Sequence, residues 1–465
     1  MPPRTRSHSR RPRSLLCDTP PEIITEIFSW LGSSDLWSLC LVNKFLHPIA
    51  ERALYSSITF KWNYNQQPRI IALLNKLFQR PELFDYITSL TLDGSNDDEN
   101  RHMPPVAATW HPDVSKYIDH VRTLNTDLTE RWVDSIKRGQ MDAFAGILLA
   151  RVTKIRCLSV SGSYLRGNGV IRKIVELKIR GQLPRFERLK VLTYSEPSGF
   201  HYDDVPYMFT KAMHLFHIPT ITHIAAWMGN PAETFQWPLG EPDLRNLTSL
   251  DIEGSRTVTL VGILPLAENL KRLAWRWEYI PKHKGPFMTK VLDLDEIIAT
   301  FSLVKKTLES LQFRITVHKR KGRLSEEKID VLGSFGGLRD FNQITDLDVP
   351  LACLAGFGDK PQPLDTFIPS GIKTLSLSCG MLLNEAVEWI PIHEGPSDSD
   401  IVESVRDLSK NSPTSLPQLQ RIRIVDEGDK CFSWKQVDKI LEDNPLDHEV
   451  TVIRPAFPGS VSNPY

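Results

Sequence analysis

Apolar residues recur along most of this chain with one short beat: an apolar residue, a second three positions later, a third two after that. The beat falls at Ile87, Leu90, Leu92; Ile155, Leu158, Val160; Phe186, Leu189, Val191; and Leu247, Leu250, Ile252. It returns at Leu270, Leu273, Trp275; Leu308, Leu311, Phe313; Ile344, Leu347, Val349; Ile372, Leu375, Leu377; and Leu419, Ile422, Ile424, with a weaker instance at Ile221 and Ile224. The last two members of each triplet alternate, so they point to one side of a short strand and the residues between them to the other. One such unit cannot bury its apolar side alone, so successive units must stack. From Val160 onward the strands lie from 23 residues apart (Ile252 to Trp275) to 47 (Leu377 to Ile424), and the gap from Leu92 to Val160 is longer still, which predicts irregular repeats.

The N-terminal part has a different period. Ile23, Ile24, Ile27, Phe28 and Leu31 recur at helical spacing. Thr19 is placed to cap this helix, with Pro20 and Pro21 in its first turn and Glu22 completing a capping box. Gly32 is the expected stop. Ser34 or Asp35 then opens a second helix carrying Leu36, Leu39, Cys40 and Val42, and a third is expected from Phe45 to Leu54. Helices this short need one another, or a partner, to bury their faces. Further helices are predicted over 69–78 and 128–150.

Composition narrows the picture. In 465 residues, 56 basic and 56 acidic side chains cancel, which gives no global field of the kind nucleic acid requires. The six cysteines are scattered without a C-x-x-C pair, as in a chain with reduced thiols in the cytoplasm or nucleus. No apolar run approaches the ~20 residues of a membrane span. Residues 1–14 read as a disordered basic tail, 15–60 as the helical unit and 61–454 as the repeat array. Mobile insertions are expected near 94–113 and 391–414, and a disordered tail over 455–465.

Residues 18–58 resemble an F-box. Pro20, Glu22, Ile23, Ile24, Ile27, Phe28, Leu31, Asp35, Leu36, Val42, Phe45, Leu54 and Tyr55 fill its places in order, with Thr19 where the family usually has Leu and Phe45 where it often has Trp. The ending A-L-Y-S-S-I is similar to that of fungal F-box proteins. The beat L-x-x-L-x-L resembles degenerate leucine-rich repeats, which often follow an F-box. The implied fold is α/β: a three-helix F-box, then an irregular solenoid made of a curved parallel sheet with outer helices. An ordinary α/β domain with several short parallel strands is the competing architecture.

The resemblance implies a non-catalytic receptor subunit of a cullin–RING ubiquitin ligase, which docks a Skp-type adaptor, and through it a cullin, by the F-box and a protein target by the repeats. Pro20, Ile23, Ile27, Leu31, Leu36, Val42 and Phe45 carry over as adaptor contacts or the packing that positions them. The alternative is an F-box scaffold acting outside any ligase. Neither a cofactor, a metal, a membrane nor nucleic acid is implied.

The search for catalytic chemistry returns no phosphate-binding glycine loop, no G-x-S-x-G nucleophile elbow and no H-E-x-x-H motif. This argues against a hydrolase or transferase. His111, Asp113, Asp119 and His120 cluster in sequence at spacings that fit no standard zinc site. His318, Lys319, Arg320 and Lys321 read as a charged loop tip. The alternate strand positions are polar and face the concave side. Among them Arg272, Arg276 and Arg314 fall on adjacent strands and are the candidate target-binding residues, because guanidinium groups hold acidic groups bidentately.

Overall fold

The computed structural model describes residues 16, 19–62, 69–94, 113–165, 169–195, 212–231, 234–279, 288–317, 327–356, 362–378, 387–390, 398–425 and 449–453. The chain divides into two compact units, the first extending to Leu189 and the second beginning at Lys190. Both are α/β, with parallel strands and helices packed on their outer side.

The first unit opens with three short helices, α1 (Pro21–Ser29), α2 (Ser33–Val42) and α3 (His47–Ser56). Their ends differ from the sequence expectation. Pro20, not Thr19, is the N-cap of α1, and no side chain caps it. Gly32 has a φ of −71°, so it is no left-handed stop; it serves instead as the N-cap of α2, without help from Ser34 or Asp35. These helices are held by packing rather than by caps. Ile24, Phe28, Leu36, Leu46 and Ala50 form their fully buried core.

Helix α3 passes directly into strand β1 (Ser57–Lys61), which pairs in parallel with β2 (Ser89–Asp93) and then β3 (Cys157–Ser161). Register aligns Ile58, Leu90 and Leu158 in one column and Phe60, Leu92 and Val160 in the next. Strand β1 obeys the same beat through Tyr55, Ile58 and Phe60, an instance absent from the expected series. Between the strands run α4 (Ile70–Gln79), α5 (Ser115–Leu124), α6 (Thr129–Lys137) and α7 (Met141–Arg151), and α8 (Val170–Ile179) comes after β3. The single helix expected over 128–150 is therefore two. The break falls at Gly139, whose φ of 69° ends a right-handed helix. Helix α7 is buried on nearly all sides. A Cβ on Gly146 would stand 2.6 Å from Ile174 Cδ1, so this glycine sets how closely α7 and α8 approach.

The second unit repeats the strand-and-return pattern. Strands β4 (Val191–Ser195), β5 (His223–Trp227), β6 (Ser249–Glu253) and β7 (Arg272–Tyr279) pair in chain order. After β7 the sheet takes β9 (Ser310–Val317), β11 (Asp346–Pro350), β12 (Thr374–Ser378), β14 (Arg421–Val425) and β15 (Glu449–Ile453). The strands left out, β8 (Val291–Asp293), β10 (Glu327–Leu332) and β13 (Val387–Ile390), form a small second parallel sheet that the repeat pattern did not announce.

The cohesion of this array lies in its columns. Leu192, Ile224, Leu250, Leu273, Leu311, Leu347, Leu375 and Ile422 are register partners in succession. All are buried, and each such side chain contributes about 1.5–3 kcal/mol of burial. Just before the strands, the N–H groups of Thr222, Thr248, Lys271, Glu309, Thr345, Lys373 and Gln420 each donate to the equivalent carbonyl of the preceding repeat at 2.8 to 2.9 Å. The next apolar column thickens in its middle, where Trp275 stacks on Phe313 at 5.3 Å and Phe335 leans on Phe313 at 5.6 Å.

Two expectations are corrected. The beat at Phe186, Leu189 and Val191 is out of register: Val191 is half-buried, and the inward residues of β4 are Leu192 and Tyr194. The triplet is Leu189, Leu192, Tyr194, with a tyrosine in the closing apolar place. Within 391–414, expected as a mobile insertion, an 18-residue helix, Asp398–Ser415, begins in place of a loop, and 391–397 lie outside the described residues. Its apolar residues Ile401, Val402, Val405 and Leu408 have helical spacing, masked by polar neighbours, and Leu408 is buried. The expected tails and nearly all of 94–113 lie outside the described residues, as does the basic run at 318–321.

Candidate functional site: an uncovered apolar face and a charged hollow

Helix α1 carries two apolar stripes. Ile24 and Phe28 turn inward, while Ile23, Ile27 and Trp30, at spacings of four and three, turn to solvent. Helix α2 is apolar almost all the way round. Leu36 faces the core, but Trp37, Leu41 and Val42 face out, and Phe45 continues the outer surface into the turn before α3. Trp30 is 82% exposed, Leu41 and Val42 each 72%. Most of the large exposed apolar side chains among the described residues lie within this stretch of the chain. Single exposed apolar residues are ordinary, but seven large apolar side chains exposed within Ile23 to Phe45 mark a candidate interaction surface.

Of the residues singled out from the sequence, Pro20, Ile23, Ile27, Val42 and Phe45 are on this exposed side. Leu31 is half-buried against the core, and Leu36, at 5% exposure, belongs to the core itself. Leu36 is therefore a packing residue rather than a contact. Trp30, Trp37 and Leu41 were missed. The signal for Trp37 and Leu41 was present, since a short helix apolar on opposite sides needs a second partner.

The three helices are fixed to the strands and helix that come after them. Arg80 grips the Glu51 carboxylate with both terminal nitrogens, Nη1 to Oε1 at 2.5 Å and Nη2 to Oε2 at 2.9 Å, while its Nε donates to Glu82 at 2.8 Å. These two carboxylates hold the guanidinium above its ordinary pKa. His47 Nδ1 lies 2.8 Å from the Cys40 carbonyl, which ties α3 to α2. Ser56 ends α3, and its carbonyl accepts the Thr88 N–H at 2.9 Å, at the head of β1 and β2.

The second unit offers a surface of another kind. On the polar side of its sheet, strand register places Asp251, Ala274, Gln312, Asp348, Ser376 and Arg423 in one row. Arg272, Ser310, Asp346, Thr374 and Arg421 form the row beside it. An open groove of about 420 Å3 crosses β7, β9, β11, β12 and β14 on this side.

Arg276 and Arg314 are register partners, as expected, but each already holds a carboxylate. Arg276 Nη1 pairs with Glu253 Oε1 at 2.8 Å, and Arg314 Nη2 pairs with Asp348 Oδ2. Gln312 Nε2 also donates to Asp348 Oδ2 at 3.1 Å. Arg272 lines the groove two side-chain rows away from the Arg276–Arg314 pair. The structure thus does not join the arginines into one basic pocket; it disperses them among acids. Desolvation by the neighbouring strands raises the carboxyl pKa of both Asp251 and Glu253, and Arg276 opposes it most strongly in each case.

Among the described residues no cluster of His, Cys, Asp or Glu is placed to hold a metal ion. His120 packs edge-on against Phe78 at 5.1 Å, and burial lowers its pKa. No described helix is long and apolar enough to cross a membrane. No protein-family model matches the chain, and no curated protein is significantly similar to it.

Proposed function

We propose that the chain is an F-box protein with leucine-rich repeats, the target-receptor subunit of a cullin–RING ubiquitin ligase. In this reading α1–α3 are the F-box, and their outer face docks a Skp-type adaptor. The parallel strands and their returning helices are a degenerate leucine-rich-repeat solenoid that presents a protein target. The observation that carries the reading is the uncovered face of Ile23, Ile27, Trp30, Trp37, Leu41 and Val42, which the rest of its own unit does not bury. The ordered match of the same segment to the F-box pattern supports it. Catalysis belongs to other subunits, and the contribution of this chain is to hold a target lysine near an activated ubiquitin.

The test is co-precipitation of purified chain and Skp-type adaptor. The double substitution Trp37→Glu, Leu41→Arg leaves the core of α1–α3 intact and is expected to abolish adaptor binding. Undiminished capture of the adaptor by a folded double variant refutes the assignment. Recovery of a cullin with the wild-type chain, and its loss with the variant, separates a ligase subunit from a scaffold.

A further inference from the structure

The groove on the polar side of the second unit has a definite order of charge once its internal pairs are set aside. Lys271 and Glu309 meet at 2.7 Å, and Asp348 is held by Arg314 and Gln312. Three ionic positions remain. Arg272 on β7 and Arg423 on β14 make no side-chain hydrogen bond or ion pair among the described residues. Between them stands Asp346 on β11, solvent-exposed, whose carboxylate among the described residues takes only the Thr345 hydroxyl at 2.8 Å. Register sets β9 between β7 and β11, and β12 between β11 and β14.

Arg272 is therefore two strands to one side of Asp346 in the same row, and Arg423 two strands to the other side and one side-chain row along. Neighbouring strands are about 4.8 Å apart and side chains on one face of a strand about 6.6 Å, so the intervals are about 10 and about 12 Å. An extended peptide advances about 3.3 Å per residue, so three residues span the first interval and, with the reach of the long Arg423 side chain, the second. Ser376 and Gln312 line the floor between the charges with polar groups that carry no net charge.

We propose that this groove binds an extended peptide segment of the target that crosses the strands and carries a cationic side chain with an anionic side chain three residues away on each side. The cation sits over Asp346, beside Asp348, and the anions meet Arg272 and Arg423. A polyanion such as nucleic acid is disfavoured, because the two aspartates stand at the centre of the path. The inference rests on the reading of this face as the target-binding side, but not on the adaptor.

The experiment is fluorescence anisotropy on the full chain without adaptor. The labelled probe is Glu-Gly-Ser-Lys-Gly-Ser-Glu, and the competitor with inverted order is Lys-Gly-Ser-Glu-Gly-Ser-Lys. A third probe replaces both terminal glutamates by phosphoserine and distinguishes a carboxylate from a phosphate at the flanks. The first probe, or its phosphoserine form, is expected to bind at least about ten-fold more tightly than the inverted peptide. Arg272→Ala and Arg423→Ala should each weaken it about two- to five-fold, the range of exposed ion pairs. Asp346→Lys should reverse the preference between the two charge orders. All three side chains lie outside the core, and unchanged thermal unfolding verifies that the variants fold. Equal binding of the two orders, failure of any probe to bind at millimolar concentration, or indifference to the three substitutions overturns the proposal. Adaptor capture is measured on the same preparations, so its loss with peptide binding retained refutes the F-box reading alone, and the converse result refutes the groove alone.

Discussion

Arg80 closes a two-pronged ion pair on Glu51, joining a residue of α3 to the turn after α4 across 29 positions of sequence. Glu51 is mostly buried, with its side chain 13% exposed, while Arg80 stays 35% exposed. Bidentate geometry makes this pair stronger than an ordinary surface contact, although solvent at Arg80 screens it. Its consequence is mechanical: the uncovered face of α1 and α2 is carried on helices anchored to the first strands rather than on a swinging arm.

The first prediction concerns this ion pair. Arg80→Met should destabilise the attachment of α3 by about 1 kcal/mol and speed amide hydrogen exchange in α3, while exchange in β3 stays unchanged. Equal protection of α3 in both proteins would show that strand pairing alone holds the helices.

The second prediction separates the two sides of α2. Leu36 is enclosed by Ile24, Phe28, Leu46 and Ala50, so Leu36→Ala should cost about 2–5 kcal/mol. Leu41 is 72% exposed, so Leu41→Ala should change stability by less than about 0.5 kcal/mol. Chemical denaturation followed by tryptophan fluorescence measures both. A large loss for Leu41→Ala would mean that this face is already covered within the chain.

Much of this arrangement was legible in the sequence, and the failures have local causes. The apolar beat located β2, β3, β6, β7, β9, β11, β12 and β14, because each needs two inward residues and a third at the preceding turn. It slipped at β4, where Tyr194 fills the closing place, and it missed β1, where Tyr55 was already assigned to the end of the F-box pattern. The second sheet was invisible because three-residue β8 is too short to show alternation. Arg276 and Arg314 were correctly aligned across neighbouring strands, but only the register brings Glu253 and Asp348 against them. Spacing places a charge on a face; it does not reveal which partner from another strand will neutralise it.

The third prediction concerns the turn that ends β6. Gly254 has a φ of 76°, and a Cβ there would lie 2.7 Å from the Trp227 ring and 2.9 Å from the Met228 carbonyl oxygen. Backbone strain and a clash with main chain act together, so Gly254→Ala should cost about 2 kcal/mol or more. A thermal shift within error of wild type would show that the turn relaxes at no cost.

The last prediction is a pH dependence in the first unit. Lys178 is buried at 1% exposure; its ammonium donates to the Pro184 carbonyl at 2.6 Å and the Val152 carbonyl at 3.1 Å and rests 4.5 Å from the centre of the Phe186 ring. Burial without a carboxylate partner lowers its pKa from 10.5 to about 7. Between about pH 7 and 10.5 the unfolded chain holds this proton and the folded chain releases it, so the unfolded state binds more protons and stability rises with pH across that window. Below about pH 7 both states are protonated, and the full cost of burying the charge is present. Lys178→Met removes the titration, although it leaves two carbonyls without their donor. The wild type should therefore gain on the order of 1–2 kcal/mol more than the variant when urea unfolding is compared at pH 7 and pH 9. Parallel pH profiles for the two proteins would show that Lys178 keeps an ordinary pKa, with water reaching its ammonium from the side opposite Phe186.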